Sequence, residues 1–130
     1  EEVSNAYDNA ILYTDYFLSK VINFLKPYSK DYETAMLYMS DHGESLGENG
    51  LYLHGLPYFM APDEQKHIAS LMWFGEGDIK EDVDLEKLNT YKNKLFSQDN
   101  LFHTLLGLFE VETEVYKKEM DILYDAKKPH

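Results

Sequence analysis

The sequence has 130 residues, 44% of them hydrophobic and 15% aromatic, which is enough to bury a core and unlike a disordered chain. Its formal net charge is −12 and it contains no arginine, so binding to nucleic acid or to an anionic membrane patch is disfavoured. The absence of cysteine excludes thiolate catalysis and cysteine-ligated zinc, and no stretch approaches the roughly 18 apolar residues of a membrane span.

The first predicted element is an amphipathic helix from Asn5 to Lys26, because apolar residues recur there at helical spacing. Ser4 is the expected N-cap, and Pro27 is expected to end the helix. A helix of this kind covers one face of a core, and we assign it no chemistry.

Two short runs, Thr34–Ser40 and His67–Phe74, are almost entirely apolar. Such runs are typical of strands buried on both faces, as in a parallel sheet covered by helices. Helix, turn, buried strand and polar loop in succession predict a doubly wound α/β fold. Ligand sites in such sheets lie beyond the carboxyl ends of strands, so the residues from Asp41 onward are the first place to look for chemistry.

The remaining segments are a glycine-rich loop and a C-terminal helical region. Asp41–Pro62 contains four glycines and two prolines, as in long structured loops that carry function.

Asp78–Lys94 is highly charged and predicted to be a surface segment, partly helical. Ser97–Phe109 is predicted to be a helix capped by Ser97, with Leu101, Phe102, Leu105, Leu106 and Phe109 on its buried stripe. The tail from Val111 is expected to fray at its end.

Asp41, His42 and Gly43 directly follow the first predicted strand. A carboxylate and an imidazole together suit zinc or a related divalent metal. Neighbouring side chains on a strand point to opposite faces, but a turn with unusual dihedrals at Gly43 would let both reach one ion. The alternative is a hydrogen-bonded turn without metal. Further ligands would have to complete the site, since two or three do not make a closed tetrahedron.

His54 lies twelve residues after His42, and a loop of that length can fold back to the same pocket. His54 is therefore predicted either to complete the metal site or to bind an anionic substrate. Glu44 is a weaker candidate, as a hydrogen-bond partner of a ligand or a contact to a substrate amine. His67 and His103 are assigned to packing or surface positions, and His130 is terminal. Neither a phosphate-binding glycine loop nor a Gly-x-Ser-x-Gly elbow is present.

The stretch Ser40–Tyr58 reads SDHGESLGENGLYLHGLPY and closely resembles the signature of the lipid A phosphoethanolamine transferases. Asn5–Tyr16, Ala61–Phe74 and Gln98–Gly107 resemble further segments of that family. Its members include polymyxin-resistance enzymes and are membrane-anchored proteins of the alkaline phosphatase/sulfatase superfamily. The resemblance, and the start at Glu1 without an initiator Met, lead us to expect that residues 1–130 are the C-terminal portion of a sulfatase-like α/β domain.

By this resemblance, Asp41 and His42 match two zinc ligands, and His54 matches a histidine that contacts the phosphoethanolamine group or an additional zinc. The family's nucleophilic Thr and its remaining ligand match no residue here. Thr14 and Thr34 are predicted in a helix and at a strand start, so we assign neither as the nucleophile. The catalytic nucleophile and the membrane anchor are then expected in preceding sequence.

The implied reaction moves phosphoethanolamine from phosphatidylethanolamine, through a zinc-activated Thr, to lipid A or another envelope acceptor. The implied location is the bacterial inner membrane, with the catalytic domain facing the periplasm.

Two alternative functions stay open. One is a sulfatase or phosphatase of the same superfamily, and the other is a folded fragment or binding module without catalysis. A Cys-x-Pro-x-Arg motif in preceding sequence would favour a sulfatase.

Overall fold

The computed structural model describes residues 2–128, and the chain divides into two compact units, Glu1–Gly75 and Glu76–His130. The helices and strands of the first unit are α1 (Glu2–Leu25), β1 (Ala35–Met39), β2 (Ser45–Leu46), β3 (Tyr52–Leu53), α2 (Asp63–Lys66) and β4 (Ser70–Phe74), with 3₁₀ turns at Lys26–Lys30 and Glu48–Gly50. The second unit has α3 (Asp78–Asp82), α4 (Leu85–Asn89) and α5 (Asp99–Leu108), with 3₁₀ turns at Thr90–Asn93, Lys118–Met120 and Tyr124–Ala126.

The long helix α1 forms as its periodicity predicts, and Pro27 follows its last residue within a 3₁₀ turn. Ser4 lies inside the helix, so its assignment as the N-cap is wrong. None of the helix residues is buried among the described residues, and Tyr13 and Phe24 are 71% and 66% exposed. Leu18, Val21, Ile22 and Leu25 of the predicted stripe are half-buried, so one face of the helix is partly covered and the rest is exposed. No helix of residues 2–128 combines the length and the apolar character needed to cross a membrane.

The two predicted strands are present, but they pair with each other antiparallel, with Ala35 opposite Phe74 and Met39 opposite Ser70. The expectation of parallel strands buried on both faces is wrong for this pair. Only one side chain in each strand is buried, Met36 in β1 and Phe74 in β4. Apolar runs indicate that a strand will form, but they carry no information on the direction of its partner.

The charged segment after β4 is partly helical, as predicted, and Asp84 caps α4 by accepting a hydrogen bond from the Lys87 backbone N–H at 2.9 Å. It is more than a surface segment, because Val83 and Tyr91 are buried. These two side chains contribute to the core of the second unit.

Helix α5 begins at Asp99, and its predicted cap and buried stripe are both partly wrong. The Ser97 side chain makes no cap; instead Asn100 Oδ1 accepts a hydrogen bond from the Ser97 backbone N–H at 2.8 Å. Phe102 and Phe109 are exposed, whereas Asn100 and Thr104 are buried. The buried face of α5 is polar because it supplies hydrogen-bond partners to the backbone of the C-terminal tail.

The tail is held against α5 by side-chain to backbone hydrogen bonds. Asn100 Nδ2 donates to the Met120 carbonyl at 2.8 Å, and Thr104 Oγ1 accepts from the Ile122 backbone N–H at 3.0 Å. Leu123 is fully buried, so the expected fraying is absent up to residue 128. The Tyr116 hydroxyl donates to the buried Asp121 carboxylate at 2.8 Å, and burial together with this bond raises the pKa of Tyr116 above its ordinary value.

Gly107 tests this packing, because a Cβ there would lie 2.0 Å from Asp121 Oδ2. We expect Gly107→Ala to lower the free energy of unfolding by about 1–3 kcal/mol, although alanine favours a helix over glycine by about 1 kcal/mol. Urea denaturation followed by circular dichroism measures the change. In an Asp121→Ala background the same substitution should be neutral or stabilising, and an equal loss in both backgrounds would contradict the proposed clash.

Candidate metal and substrate site

The chain turns sharply where β1 ends. The Ser40 backbone N–H donates to the Ala69 carbonyl at 3.0 Å and extends the pairing with the other strand by one residue. The Ser40 hydroxyl donates to the His42 carbonyl at 2.9 Å, and the His42 backbone N–H donates to Asp41 Oδ1 at 3.1 Å. These bonds close a turn at the carboxyl end of the strand, which is where the sequence predicted the chemistry to lie.

Gly43 packs directly against the backbone of α2 and the residue after it. Its N–H donates to the Gln65 carbonyl at 3.1 Å. A Cβ at Gly43 would lie 2.0 Å from the Glu64 carbonyl oxygen and 3.0 Å from that of His67. Glycine is required here by lack of space. The unusual dihedrals expected from sequence are not the reason, since Gly43 does not adopt a positive φ.

A short hairpin brings Glu44 and His54 together. Strands β2 and β3 pair antiparallel with Ser45 opposite Leu53, so the next position along places Glu44 opposite His54. His54 Nδ1 lies 3.0 Å from Glu44 Oε2, and the imidazole of His54 stacks on that of His42 with 3.6 Å between ring centroids. The twelve-residue return that the sequence suggested thus takes place through a hairpin.

His42 presents one ring nitrogen for a ligand. Its Nδ1 lies 2.9 Å from the Gly43 carbonyl, and because a carbonyl only accepts, Nδ1 carries the hydrogen. Nε2 of the neutral ring is then an acceptor, and it lies 3.7 Å from Asp41 Oδ2. A backbone carbonyl that fixes the imidazole in this way is the usual partner of a metal-binding histidine.

Within the described residues, His42, Glu44 and His54 form a group whose potential ligand atoms all lie within 4.8 Å of one another. The Glu44 side chain is only 20% exposed, and its Oε1 is buried without a hydrogen-bond partner. A buried acceptor without a donor is costly, so this atom fits a cation, either a metal or an amine. The carboxylate and imidazole donors of the group can therefore hold a divalent metal ion.

The other residues considered from sequence have structural roles or lie elsewhere. His67 is exposed, and His103 Nδ1 accepts a hydrogen bond from the Lys117 backbone N–H at 3.2 Å. Thr14 donates to the Ala10 carbonyl within α1, and Thr34 shares a 2.6 Å hydrogen bond with Ser29. His130 lies outside the described residues.

Sequence reasoning missed Gln65, which supports the site from α2. Its side-chain Nε2 donates to the buried Ser45 hydroxyl at 2.9 Å, while its backbone carbonyl receives the Gly43 N–H. It ties α2 to the hairpin on one side and to the turn after β1 on the other. A single glutamine in a four-residue helix has no sequence signal that distinguishes it from a solvated polar residue.

Comparison with known proteins reveals extensive similarity. The family model described as Sulfatase matches residues 1–111. Phosphoethanolamine transferase EptA of Escherichia coli K12 is 48% identical over 98% of the chain, which spans 24% of that protein's length. The chain thus spans about a quarter of the curated relatives it matches.

Among solved structures, lipooligosaccharide phosphoethanolamine transferase A of Neisseria meningitidis matches as a soluble domain (TM-score 0.91, 43% identity, 98% of this chain and 39% of that one). It also matches as the integral membrane protein (TM-score 0.88, 44% identity, 95% and 23%). The C-terminal periplasmic domain of EptC from Campylobacter jejuni matches with a TM-score of 0.81, 50% identity, and coverage of 95% and 38%. These matches confirm the predicted α/β class and the likeness to phosphoethanolamine transferases.

Substitution of Gly43 tests how the turn is built. We expect Gly43→Ala to lower the free energy of unfolding by about 1–3 kcal/mol and to separate the stacked imidazoles, because the new methyl group collides with a backbone carbonyl. Denaturation and the ring-current shifts of His42 and His54 in NMR spectra measure both effects. Gly107→Ala is the control, because its added Cβ collides with Asp121 in the second unit, so it should lower stability but keep the ring-current shifts of His42 and His54. Unchanged stability and imidazole resonances in Gly43→Ala would contradict this account.

Proposed function

Because the chain belongs to the sulfatase family, we propose that it forms the C-terminal part of the catalytic domain of a phosphoethanolamine transferase. The observation that carries the proposal is the turn after β1, where His42 lies beside Asp41 and stacks on His54. The identity of 48% to EptA along 98% of the chain supports the same reaction class. The nucleophile, a threonine, and the remaining metal ligand then lie in sequence that precedes Glu1.

We assign Asp41 and His42 as ligands of a zinc ion. The distance of 3.7 Å between Asp41 Oδ2 and His42 Nε2 is compatible with both atoms turning to one ion, and the Gly43 carbonyl holds the His42 ring in the required tautomer. Zinc, when bound, supplies a Lewis acid that favours ionisation of a hydroxyl and offsets negative charge on a phosphoryl group.

Glu44 and His54 are assigned to the substrate. The Glu44 carboxylate keeps one oxygen on His54 Nδ1, and its other, buried oxygen suits the ammonium group of ethanolamine. When the carboxylate accepts from Nδ1, the Nε2 atom of His54 is left to accept a proton, and once protonated it can donate a hydrogen bond to a phosphoryl oxygen. The Glu44 carboxylate thus contacts the His54 imidazole, and the imidazole in turn contacts the substrate phosphate.

The proposed reaction has two displacements at phosphorus. The threonine hydroxyl forms a bond to the phosphorus of phosphatidylethanolamine, the bond to the diacylglycerol oxygen breaks, and diacylglycerol leaves with a proton. An oxygen of lipid A or another envelope acceptor then attacks the phosphothreonine diester and releases the threonine. The similar structures include a lipooligosaccharide transferase and a periplasmic domain, which supports this acceptor class and a position on the periplasmic face of the inner membrane.

A hydrolase is the second candidate, because the family model is described as Sulfatase. Water would then replace the acceptor, and the site described above would be unchanged. A folded piece without activity of its own is compatible with the same geometry. Product analysis on the full-length protein separates these possibilities.

Zinc content tests the assignment of the ligands. In the full-length protein, we expect Asp41→Ala and His42→Ala to reduce zinc from stoichiometric to substoichiometric amounts, measured by mass spectrometry after dialysis. Glu44→Gln should keep its zinc but raise the KM for phosphatidylethanolamine about ten-fold, because a charged hydrogen bond to the headgroup is lost. If Glu44→Gln loses zinc as completely as Asp41→Ala does, the metal is held by the His42, Glu44 and His54 group instead.

The transfer itself is tested by supplying the full-length protein with phosphatidylethanolamine and lipid A. We expect lipid A carrying phosphoethanolamine and an equal amount of diacylglycerol, detected by mass spectrometry. His54→Ala should lower the rate by roughly 10²–10⁴-fold with zinc retained, as for loss of a proton-transfer group. Release of diacylglycerol without modified lipid A, or cleavage of a sulfate ester, would establish a hydrolase.

A further inference from the structure

The hairpin that carries His54 continues into a loop of exposed apolar side chains. Every residue from 51 to 60 is exposed, and the exposed fraction reaches 69% for Leu53, 81% for Tyr58, 86% for Phe59 and 61% for Met60. We call residues 51–62 the apolar loop. Large apolar side chains gathered at one place on a surface mark an interaction site, whereas isolated ones do not.

The apolar loop is also uncharged. Charged residues make up 28% of the chain, yet positions 51–62 contain no Asp, Glu or Lys. The first charges on either side are Glu48, before the loop, and Asp63, after it. Lys66 lies at the border, where its Nζ stands 5.5 Å from the centre of the Tyr58 ring. An uncharged segment rich in aromatic side chains has the composition of segments that lie at a membrane–water interface.

Neither packing nor backbone preference explains the position of Leu53. Its φ of 65° lies in the left-handed region, which is unfavourable for a leucine, and its side chain is nevertheless mostly exposed. Strain of this kind persists at positions where the surrounding structure imposes it, and such positions cluster at ligand-binding sites. The hairpin thus holds a large apolar side chain in solvent next to His54.

We propose that the apolar loop docks onto the surface of a lipid bilayer rich in zwitterionic phosphatidylethanolamine. The loop inserts its Leu, Tyr, Phe and Met side chains among the upper parts of the acyl chains. The net charge of −12 disfavours an anionic surface, while an uncharged loop fits a zwitterionic one. The inference rests on the proposed function in one respect, namely that the substrate is a lipid headgroup.

Docking through this loop explains how a headgroup can meet the site without the lipid leaving the bilayer. His54 belongs to the same loop as Leu53 and Tyr58, so insertion of the loop brings its imidazole to the level of the phosphates. Glu44, hydrogen-bonded to His54, follows it. The apolar loop therefore positions the donor and takes no part in proton or phosphoryl transfer.

Depth in the membrane gives a test that does not depend on activity. The full-length protein is reconstituted in vesicles of phosphatidylethanolamine and phosphatidylcholine (1:1) with an environment-sensitive fluorophore on Phe59→Cys. Phe109→Cys is the matched control, since Phe109 is 72% exposed and lies outside the loop. We expect lipids brominated on the acyl chains to quench the label at position 59 several-fold more than the label at position 109. Quenching at position 59 as weak as at position 109 would overturn the proposal and indicate that protein, either another segment or a second copy, covers the loop.

Two phosphoethanolamine donors, one in a bilayer and one soluble in water, distinguish a role of the loop in docking from a role in chemistry. We expect Phe59→Ser and Leu53→Ser to lower transfer from vesicle phosphatidylethanolamine about ten-fold, roughly the effect of losing one buried apolar side chain. Transfer from a short-chain, water-soluble phosphoethanolamine ester should be unchanged, and Phe109→Ser should affect neither donor. Equal losses with both donors would overturn the proposal, because the loop would then act in the chemistry. Acyl-chain quenching at position 59 in a protein that transfers no phosphoethanolamine would leave docking intact and reject the proposed function alone.

Discussion

The close approach of Gly43 to the backbone of Glu64 is the constraint on which the rest of the site depends. Because the Gly43 N–H bonds to the Gln65 carbonyl and no side chain fits between them, the chain leaving β1 must turn at once. The turn sets the His42 imidazole on one side and starts the β2–β3 hairpin on the other. The register of that hairpin then places Glu44 opposite His54. One glycine contact thus determines where two imidazoles and a carboxylate meet.

Charge has opposite roles in different parts of the chain. The chain as a whole is strongly acidic, which keeps it away from anionic polymers and surfaces. At the site, carboxylates stand next to imidazoles, where they attract a cation and orient the rings. In the apolar loop, charge is absent. This distribution suits the proposed reaction, whose donor combines an ammonium group, a phosphate and acyl chains.

Local patterns predicted much of the fold, because they depend on neighbouring residues. Helical periodicity identified α1, apolar runs identified β1 and β4, and the Asp-His-Gly sequence identified the turn. The antiparallel pairing of the strands was not predictable, since an apolar run is equally compatible with either direction. The buried face of α5 was predicted wrongly because Asn100 and Thr104 serve the backbone of a distant tail, which no periodicity analysis contains.

In the candidate site, too, some residues could be predicted from the sequence and others could not. Asp41, His42 and His54 were identified from residue type and from resemblance, whereas the role of Gln65 and the left-handed Leu53 required the structure. The reason for Gly43 also changed, from backbone freedom to lack of space. Contacts between segments far apart in sequence decide the roles of Gln65 and Gly43, and no local pattern marks the backbone of Leu53.

The most direct measurement of the central claim is anomalous diffraction at the zinc edge from crystals of the zinc-loaded full-length protein. Our account predicts one anomalous peak at about 2.0–2.2 Å from both His42 Nε2 and an Asp41 carboxylate oxygen. A peak that contacts neither atom, or no peak at the end of β1, would contradict it.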